Sequence, residues 1–169
     1  NDGFADIPIG KQYNFMNKYG YSSPNGFEAQ FGGGYLKDTR SGGQFLEFNS
    51  NKLTSAELYK LGVDNEKWEV YSKTGYVIKN KPGTSMGLQT SYSNHQQSNF
   101  YGNTNYQGNQ KTFYLNYIFQ GIINTTDNVF KIGTSYLNDN VSEIFNTSTY
   151  ERKEKVIGTF IEFTHNYKE

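Results

Sequence analysis

From Ser85 to His95 the residues sort by parity. Met86, Leu88, Thr90 and Tyr92 share one face, and Ser85, Gly87, Gln89, Ser91, Ser93 and His95 share the other. A repeat of two marks a strand whose faces meet different surroundings, because successive side chains point to opposite sides of a sheet. Lys111 to Ile123 repeats it: Phe113, Leu115, Tyr117 and Phe119 oppose Thr112, Tyr114, Asn116 and Gln120, with Ile118 the apolar exception. Trp68, Val70, Tyr76 and Ile78 oppose Lys67, Glu69, Lys73 and Lys79. Phe130, Ile132, Thr134 and Tyr136 oppose Lys131, Gly133 and Ser135. Val156, Ile157, Thr159, Ile161 and Phe163 oppose Gly158, Glu162, Thr164 and Asn166. Near the start, Phe27, Ala29, Phe31 and Tyr35 oppose Glu28, Gln30, Gly32 and Gly34, and the noisier Lys11 to Ser23 aligns Tyr13, Phe15, Tyr19 and Tyr21.

The pattern predicts an all-β antiparallel chain of about seven strands. Several are near the ~9–11 residues that a tilted strand needs to cross a bilayer. The polar faces carry Lys, Glu and Gln, which a dry core does not accept unpaired and a hydrated lumen does. Composition agrees: aromatics reach 17 % beside only 34 % hydrophobic residues, too aromatic for disorder.

Turn chemistry orders the strands. Ser23-Pro24-Asn25-Gly26, Asn80-Lys81-Pro82-Gly83 and Asn124-Thr125-Thr126-Asp127 carry the residues of tight turns. Between them the sequence predicts long loops over 38–66, 95–110 and 138–155. Short and long connections then alternate, as in outer-membrane barrels with short periplasmic turns and longer extracellular loops. Residues 1–10 are expected to be the tail of one such loop. In the longest, Ser55 to Gly62 has the serine start, helix formers and closing glycine of a short helix.

Other classes are disfavoured. Sixteen basic and sixteen acidic residues balance to zero, whereas nucleic-acid binding asks for a basic excess. There is no cysteine for a disulfide or thiolate site. No apolar run approaches the ~20 residues of a membrane helix. The strand count is odd where bacterial single-chain barrels are even, and Asn166-Tyr167-Lys168-Glu169 does not read as a closing strand. The whole of 1–169 is therefore expected to be part of one larger transmembrane barrel domain.

Several stretches carry a resemblance: Asp2-Gly3-Phe4-Ala5-Asp6-Ile7-Pro8 before Lys11-Gln12-Tyr13-Asn14-Phe15, and Gly26 to Gly32 followed by Arg40 and Gly42-Gly43-Gln44. Lys73-Thr74-Gly75-Tyr76, Asn80-Lys81-Pro82, Asn105 to Gly108, and Tyr150-Glu151-Arg152 before Gly158-Thr159-Phe160 continue it. In this order and spacing the chain resembles the barrel of a TonB-dependent outer-membrane receptor of the type common in Bacteroidetes. The resemblance implies a barrel of about 22 strands whose lumen is plugged, with the plug outside this chain. It implies import of an iron chelate, haem or cobalamin, and location in the outer membrane of a Gram-negative bacterium. Its implied partners are outer-membrane lipid, the TonB energy-coupling complex acting through the plug, the nutrient ligand and a surface lipoprotein.

No catalytic constellation, metal site or cofactor is expected. His95 and His165 fall at opposite membrane sides, and Asn1, Asp2 and Asp6 lack the spacing of a calcium loop. Gly32-Gly33-Gly34 has no following Lys-Ser or helix and is expected to make room for a neighbouring backbone such as the plug. Ligand capture is assigned to the outer loops, with Arg40, His95, Phe100, Tyr101, Tyr106, Tyr150 and Arg152 as candidates, since aromatics and arginine stack on flat ligands and pair with anions. Trp68, Tyr19 and Tyr136 are expected in aromatic girdles. The rivals are a small eight-stranded barrel with a structural or adhesion role, a barrel-type enzyme, and a soluble ligand-binding barrel with Phe113, Leu115, Tyr117 and Phe119 turned inward.

Overall fold

A computed structural model describes residues 8–44 and 58–167. They form one antiparallel sheet in strict sequence order: β1 (Ile9–Ser22), β2 (Phe27–Gly43), β3 (Lys60–Val77), β4 (Ser85–Tyr101), β5 (Thr104–Ile123), β6 (Thr125–Phe145) and β7 (Ser148–His165). The strands run from 14 to 21 residues, against ~5–6 in ordinary sheets. Each pairs only with its neighbours in sequence, and the outer edges of β1 and β7 carry no partner strand among the described residues.

Among the described residues this sheet has no second layer. A soluble domain buries a sheet face against another layer, yet among the described residues Ala29 is the one buried hydrophobic and no side chain is fully buried. The accessible surface is 12427 Å², against roughly 8500 Å² for a compact monomer of 19.3 kDa.

The register shows where the apolar surface lies. On one face, Phe15, Tyr35 and Trp68 are direct cross-strand partners. Trp68 leans onto Tyr92 at 5.2 Å between ring centroids, Tyr92 opposes Phe113, Phe113 meets Tyr136 at 6.3 Å, and Tyr136 opposes Ile157. A second line crosses all seven strands on the same face. Tyr21 meets Phe27 at 6.3 Å, Phe27 opposes Tyr76, Tyr76 opposes Met86, and Met86 opposes Phe119. Phe119 meets Phe130 at 5.9 Å, and Phe130 opposes Phe163. Each line makes two diagonal steps, so both slant against the hydrogen-bonding direction in the same sense. Between them lie Phe31, Val70, Leu88, Leu115, Tyr117, Ile132 and Ile161, an apolar band about 20–27 Å tall along the strands at ~3.4 Å per residue.

The opposite face is polar at the same height. It carries Lys73 and Gln89, Glu69 and Ser93, and Lys131 bonded to Glu162 at 2.7 Å. The expected two-faced alternation is therefore present on all seven strands. Phe113, Leu115, Tyr117 and Phe119 share the band face, and Trp68 and Tyr136 stand in the far line; Tyr19 lies one pleat inside Tyr21.

The connections differ from expectation. At the near end, beside the second aromatic line, residues 23–26 and 78–84 turn as predicted. The third turn is tighter: Asn124 alone separates β5 from β6, at φ 63°, a left-handed conformation that asparagine tolerates. At the far end the predicted loops over 95–110 and 138–155 are strand. β4 and β5 run on to a two-residue turn with Gly102 at φ 59°, and β6 and β7 to one with Asn146 at φ 53°. β2 likewise continues to Gly43 and β3 starts at Lys60. Of the predicted helix over 55–62, Lys60, Leu61 and Gly62 are strand, and residues 55–57 lie outside the described residues, as do 1–7. Beyond the apolar band both faces carry polar residues, so parity no longer sorts polar from apolar, while the backbone ladder continues on its own hydrogen bonds. The sheet thus extends six to nine residues past the far aromatic line and ends close beside the band at the near end.

Candidate ligand-binding site

The polar face of this far-end extension gathers the functional side chains. His95, Gln110, Val141 and Arg152 form one cross-strand row over β4 to β7. One pleat toward the band stand Thr112, Asp139 and Glu154, and one pleat away stand Gly108, Glu143 and Tyr150. Period two aims all of these to the same side. A cavity of about 430 Å³ opens among His95, Gln97, Tyr106, Gln110, Glu143 and Arg152.

Asp139 anchors the cluster. It is 6 % exposed and accepts hydrogen bonds from Thr112 Oγ1 at 2.6 Å and Gln110 Nε2 at 3.0 Å. Arg152 Nη2 lies 3.6 Å from it, and Nη1 lies 3.5 Å from Glu154. The Thr112 hydrogen bond, with help from Gln110 and Arg152 and against the cost of burial, holds the Asp139 carboxyl below its ordinary range. Arg152 is mostly solvent-facing, so its pairing with Asp139 is worth only ~0–1 kcal/mol, and its remaining donors are free for a ligand. Tyr106 folds over Gly108 of its own strand and donates its hydroxyl to Glu143 at 2.7 Å. That bond, then burial and the carboxylate charge, raises the phenol's pKa, so Tyr106 stays a neutral donor.

The seven candidates are placed on strands, not on loops as the sequence predicts. His95, Tyr106, Tyr150 and Arg152 come together in this cluster. Arg40 lies on the same face of β2, in register with Val63, Asn99 and Tyr106, about 14 Å away at ~4.8 Å per strand; it is bonded to Asp38 at 3.0 Å. Tyr101 sits at the far tip of β4. Phe100 is on the opposite face, its ring over Gly62, and cannot join the site. Gln110, Thr112, Asp139 and Glu143 were missed, although Asp139 keeps the parity of Lys131, Gly133 and Ser135.

The chain matches no protein-family model and no curated protein.

In the glycine run, a Cβ at Gly33 would meet the Glu69 backbone carbonyl oxygen at 3.1 Å, a close backbone neighbour within the sheet, whereas Gly32 differs from expectation. Gly32 opposes Tyr71, whose ring lies where a Cβ would stand, so the space is filled from the adjacent strand. Phe160 covers Gly133 in the same way. The histidines are at opposite ends, His165 Nδ1 lying 2.7 Å from Asn128 Oδ1. Among the described residues no three His, Asp or Glu converge as metal ligands.

Chemically, the site offers a guanidinium, an imidazole, amides, two phenols and three carboxylates. The Thr112 hydroxyl beside Asp139 resembles a nucleophile beside a base, but a carboxylate held below its ordinary range is a weak base. The arrangement presents hydrogen-bond donors and acceptors to a polar ligand.

Proposed function

We propose that this chain forms part of the wall of a membrane-spanning β-barrel in the outer membrane of a Gram-negative bacterium, and that the parent barrel imports a scarce nutrient in a TonB-dependent manner. The observation that carries the membrane reading is the apolar band, confined to one face and bounded by two aromatic lines. Its height compares with the ~25 Å apolar band and paired aromatic girdles of outer-membrane barrels. The polar face then lines a hydrated lumen, the near-end turns face the periplasm, and the far-end extension stands outside the cell. The open edges of β1 and β7 need partners in lipid, which further strands of the parent barrel supply.

The import reading adds the cluster around Arg152 and His95, which projects into the outer mouth of that lumen. Aromatic faces and a partly free guanidinium suit an iron chelate, haem or cobalamin. Coupling to TonB belongs to a plug within the lumen, and a surface lipoprotein would meet the far-end tips.

The test is to identify the natural protein in outer-membrane fractions, measure its intact mass, and compare uptake of the three ligand classes with and without its gene. A mass several times 19.3 kDa with energy-dependent loss of uptake supports the proposal. A mass near 19.3 kDa overturns it in favour of a small structural or adhesion barrel.

A further inference from the structure

On the polar face of the far-end extension, charge is unevenly placed. β2 and β3 each neutralise their own: Arg40 pairs with Asp38 at 3.0 Å, and Lys67 with Glu69 at 2.7 Å. Among the described residues of this face, β4 and β5 add the His95 imidazole and no carboxylate, lysine or arginine. β6 and β7 carry Asp139, Glu143 and Glu154 against the guanidinium of Arg152. Arg152 itself lies between two of these carboxylates, 3.6 Å from Asp139 and 3.5 Å from Glu154. With histidine neutral, three negative charges against one positive leave the cluster with a net of two negative charges, in a chain whose sixteen basic and sixteen acidic residues balance.

The hydrogen bonds point the same way. Thr112 and Gln110 donate to Asp139 at 2.6 Å and 3.0 Å, and Tyr106 donates to Glu143 at 2.7 Å. The donors around the cavity of about 430 Å³ are thus turned onto the protein's own carboxylates. Gln110 Oε1 and the second Glu143 oxygen remain as acceptors, and Arg152 keeps N–H groups that a carbonyl oxygen can meet. A ligand with hydroxyl or amide N–H groups and carbonyl oxygens completes these bonds. A ligand carboxylate meets uncompensated like charge, which disfavours a wrong partner.

We infer that the cluster around Arg152 selects by charge: it takes an uncharged metal complex edged with amides or hydroxyls, and disfavours the same complex once it carries a carboxylate. This rests on the import reading of the preceding section and divides the three ligand classes named there. A cobalamin edged with amides, or an uncharged hydroxamate chelate of iron, fits better than haem with two ionised propionates or an anionic catecholate chelate of iron. The selection is electrostatic repulsion near a surface, so it weakens as salt rises.

The experiment uses the full-length protein in detergent and three matched pairs of probes, the members of each differing in carboxylate charge. They are cyanocobalamin and its monocarboxylic acid, haem dimethyl ester and haem, and an iron trihydroxamate chelate carrying an acetyl or a succinyl group. Affinities are measured by titration calorimetry at low and high salt. In whichever class binds, the uncharged member is expected to bind roughly five- to tenfold more tightly at low salt, the effect of one added charge about 7 Å from two net charges in a water-like dielectric. The gap should narrow as salt is raised. Glu143→Gln with Glu154→Gln should close it, and the uncharged member still binding to this double variant shows that the site is formed, since glutamine keeps an acceptor for the Tyr106 hydroxyl. An anionic member that binds the wild type as tightly as its uncharged counterpart overturns the selection, as does a gap that ignores salt or persists in the double variant. Binding of none of the six probes overturns the import reading, and this inference with it, so the two failures are distinguishable.

Discussion

Phe31 lies at the centre of the apolar band. On β2 it is four residues from Phe27 in the near line and four from Tyr35 in the far line, about 13 Å along the strand in each direction. Its ring is 51 % exposed between Tyr19 and Ser72. If this face meets lipid, Phe31→Arg places a charge at the midplane, where arginine on a barrel's lipid face costs ~2–4 kcal/mol. At 1.4 kcal/mol per factor of ten, that is roughly a 30- to 700-fold shift toward the unfolded state. Phe31→Leu separates loss of the ring from gain of the charge. Asn116→Arg on β5 is the control for the polar face, and a lumenal position should change stability by no more than ~0.5 kcal/mol. The assay is reversible urea unfolding of the full-length protein in phospholipid vesicles. Were the face in water, a half-exposed phenylalanine could become arginine within that same ~0.5 kcal/mol. Phe31→Arg no more costly than Asn116→Arg would therefore refute the assignment of faces.

Trp68, the one tryptophan of this sequence, stands in the far aromatic line; its emission should be quenched more by lipids brominated near the carbonyls than by lipids brominated at the chain ends. Gly32→Ala drives the Tyr71 ring out of its place and should cost ~1–3 kcal/mol as an overpacking strain; Tyr71→Leu should relieve much of it, a coupling that a double-mutant cycle measures. Because the folded-state pKa of Asp139 is lowered, its contribution to stability is present above the unfolded value of ~3.9 and is lost as pH falls through the folded value. Urea titrations should accordingly show a flat profile from neutrality down to about that pH, and Thr112→Val should move the acid loss upward. Under the proposed import reading, Arg152→Gln should weaken binding of an iron chelate, haem or cobalamin, read by titration calorimetry with each in turn, while Arg40→Gln, about three strands from Tyr106, should leave it nearly unchanged.

The legibility of this chain depends on what surrounds each residue. Between the aromatic lines one face is apolar and the other polar, so Met86 to Tyr92 and Phe113 to Phe119 announce both strand and face by parity alone. Pro24-Asn25-Gly26 and Pro82-Gly83 likewise announce the near-end turns, because their backbone angles restrict the residue types. Beyond the far line this contrast disappears. Asn94 and His95, or Asn140 and Val141, carry no apolar–polar period, and the same ladder reads as loop. The far-end turns gave the weakest signal, since Gly102-Asn103 and Asn146-Thr147 sit in polar surroundings that look no different from their flanks.

The same blindness explains which site residues were found. Aromatics and arginines stand out in a polar stretch, so Tyr106, Tyr150 and Arg152 were picked, but Phe100 was picked on the same grounds and belongs to the other face. What separates them is register: continuing the parity of Thr112 and Tyr114 back through Gln110 and Gly108 reaches Tyr106, and continuing that of Lys131 and Ser135 forward reaches Asp139 and Glu143. The two continuations meet across β5 and β6, where Gln110 and Thr112 bond Asp139 and Tyr106 bonds Glu143. Side chains that pair only because two long strands keep register for some twenty residues are invisible to any local motif, and a site built this way is tied to the rigidity of the wall that carries it. A bulge inserted between Phe113 and Gln110 would turn Gln110 and Tyr106 to the opposite face, abolishing the cluster while leaving the apolar band intact.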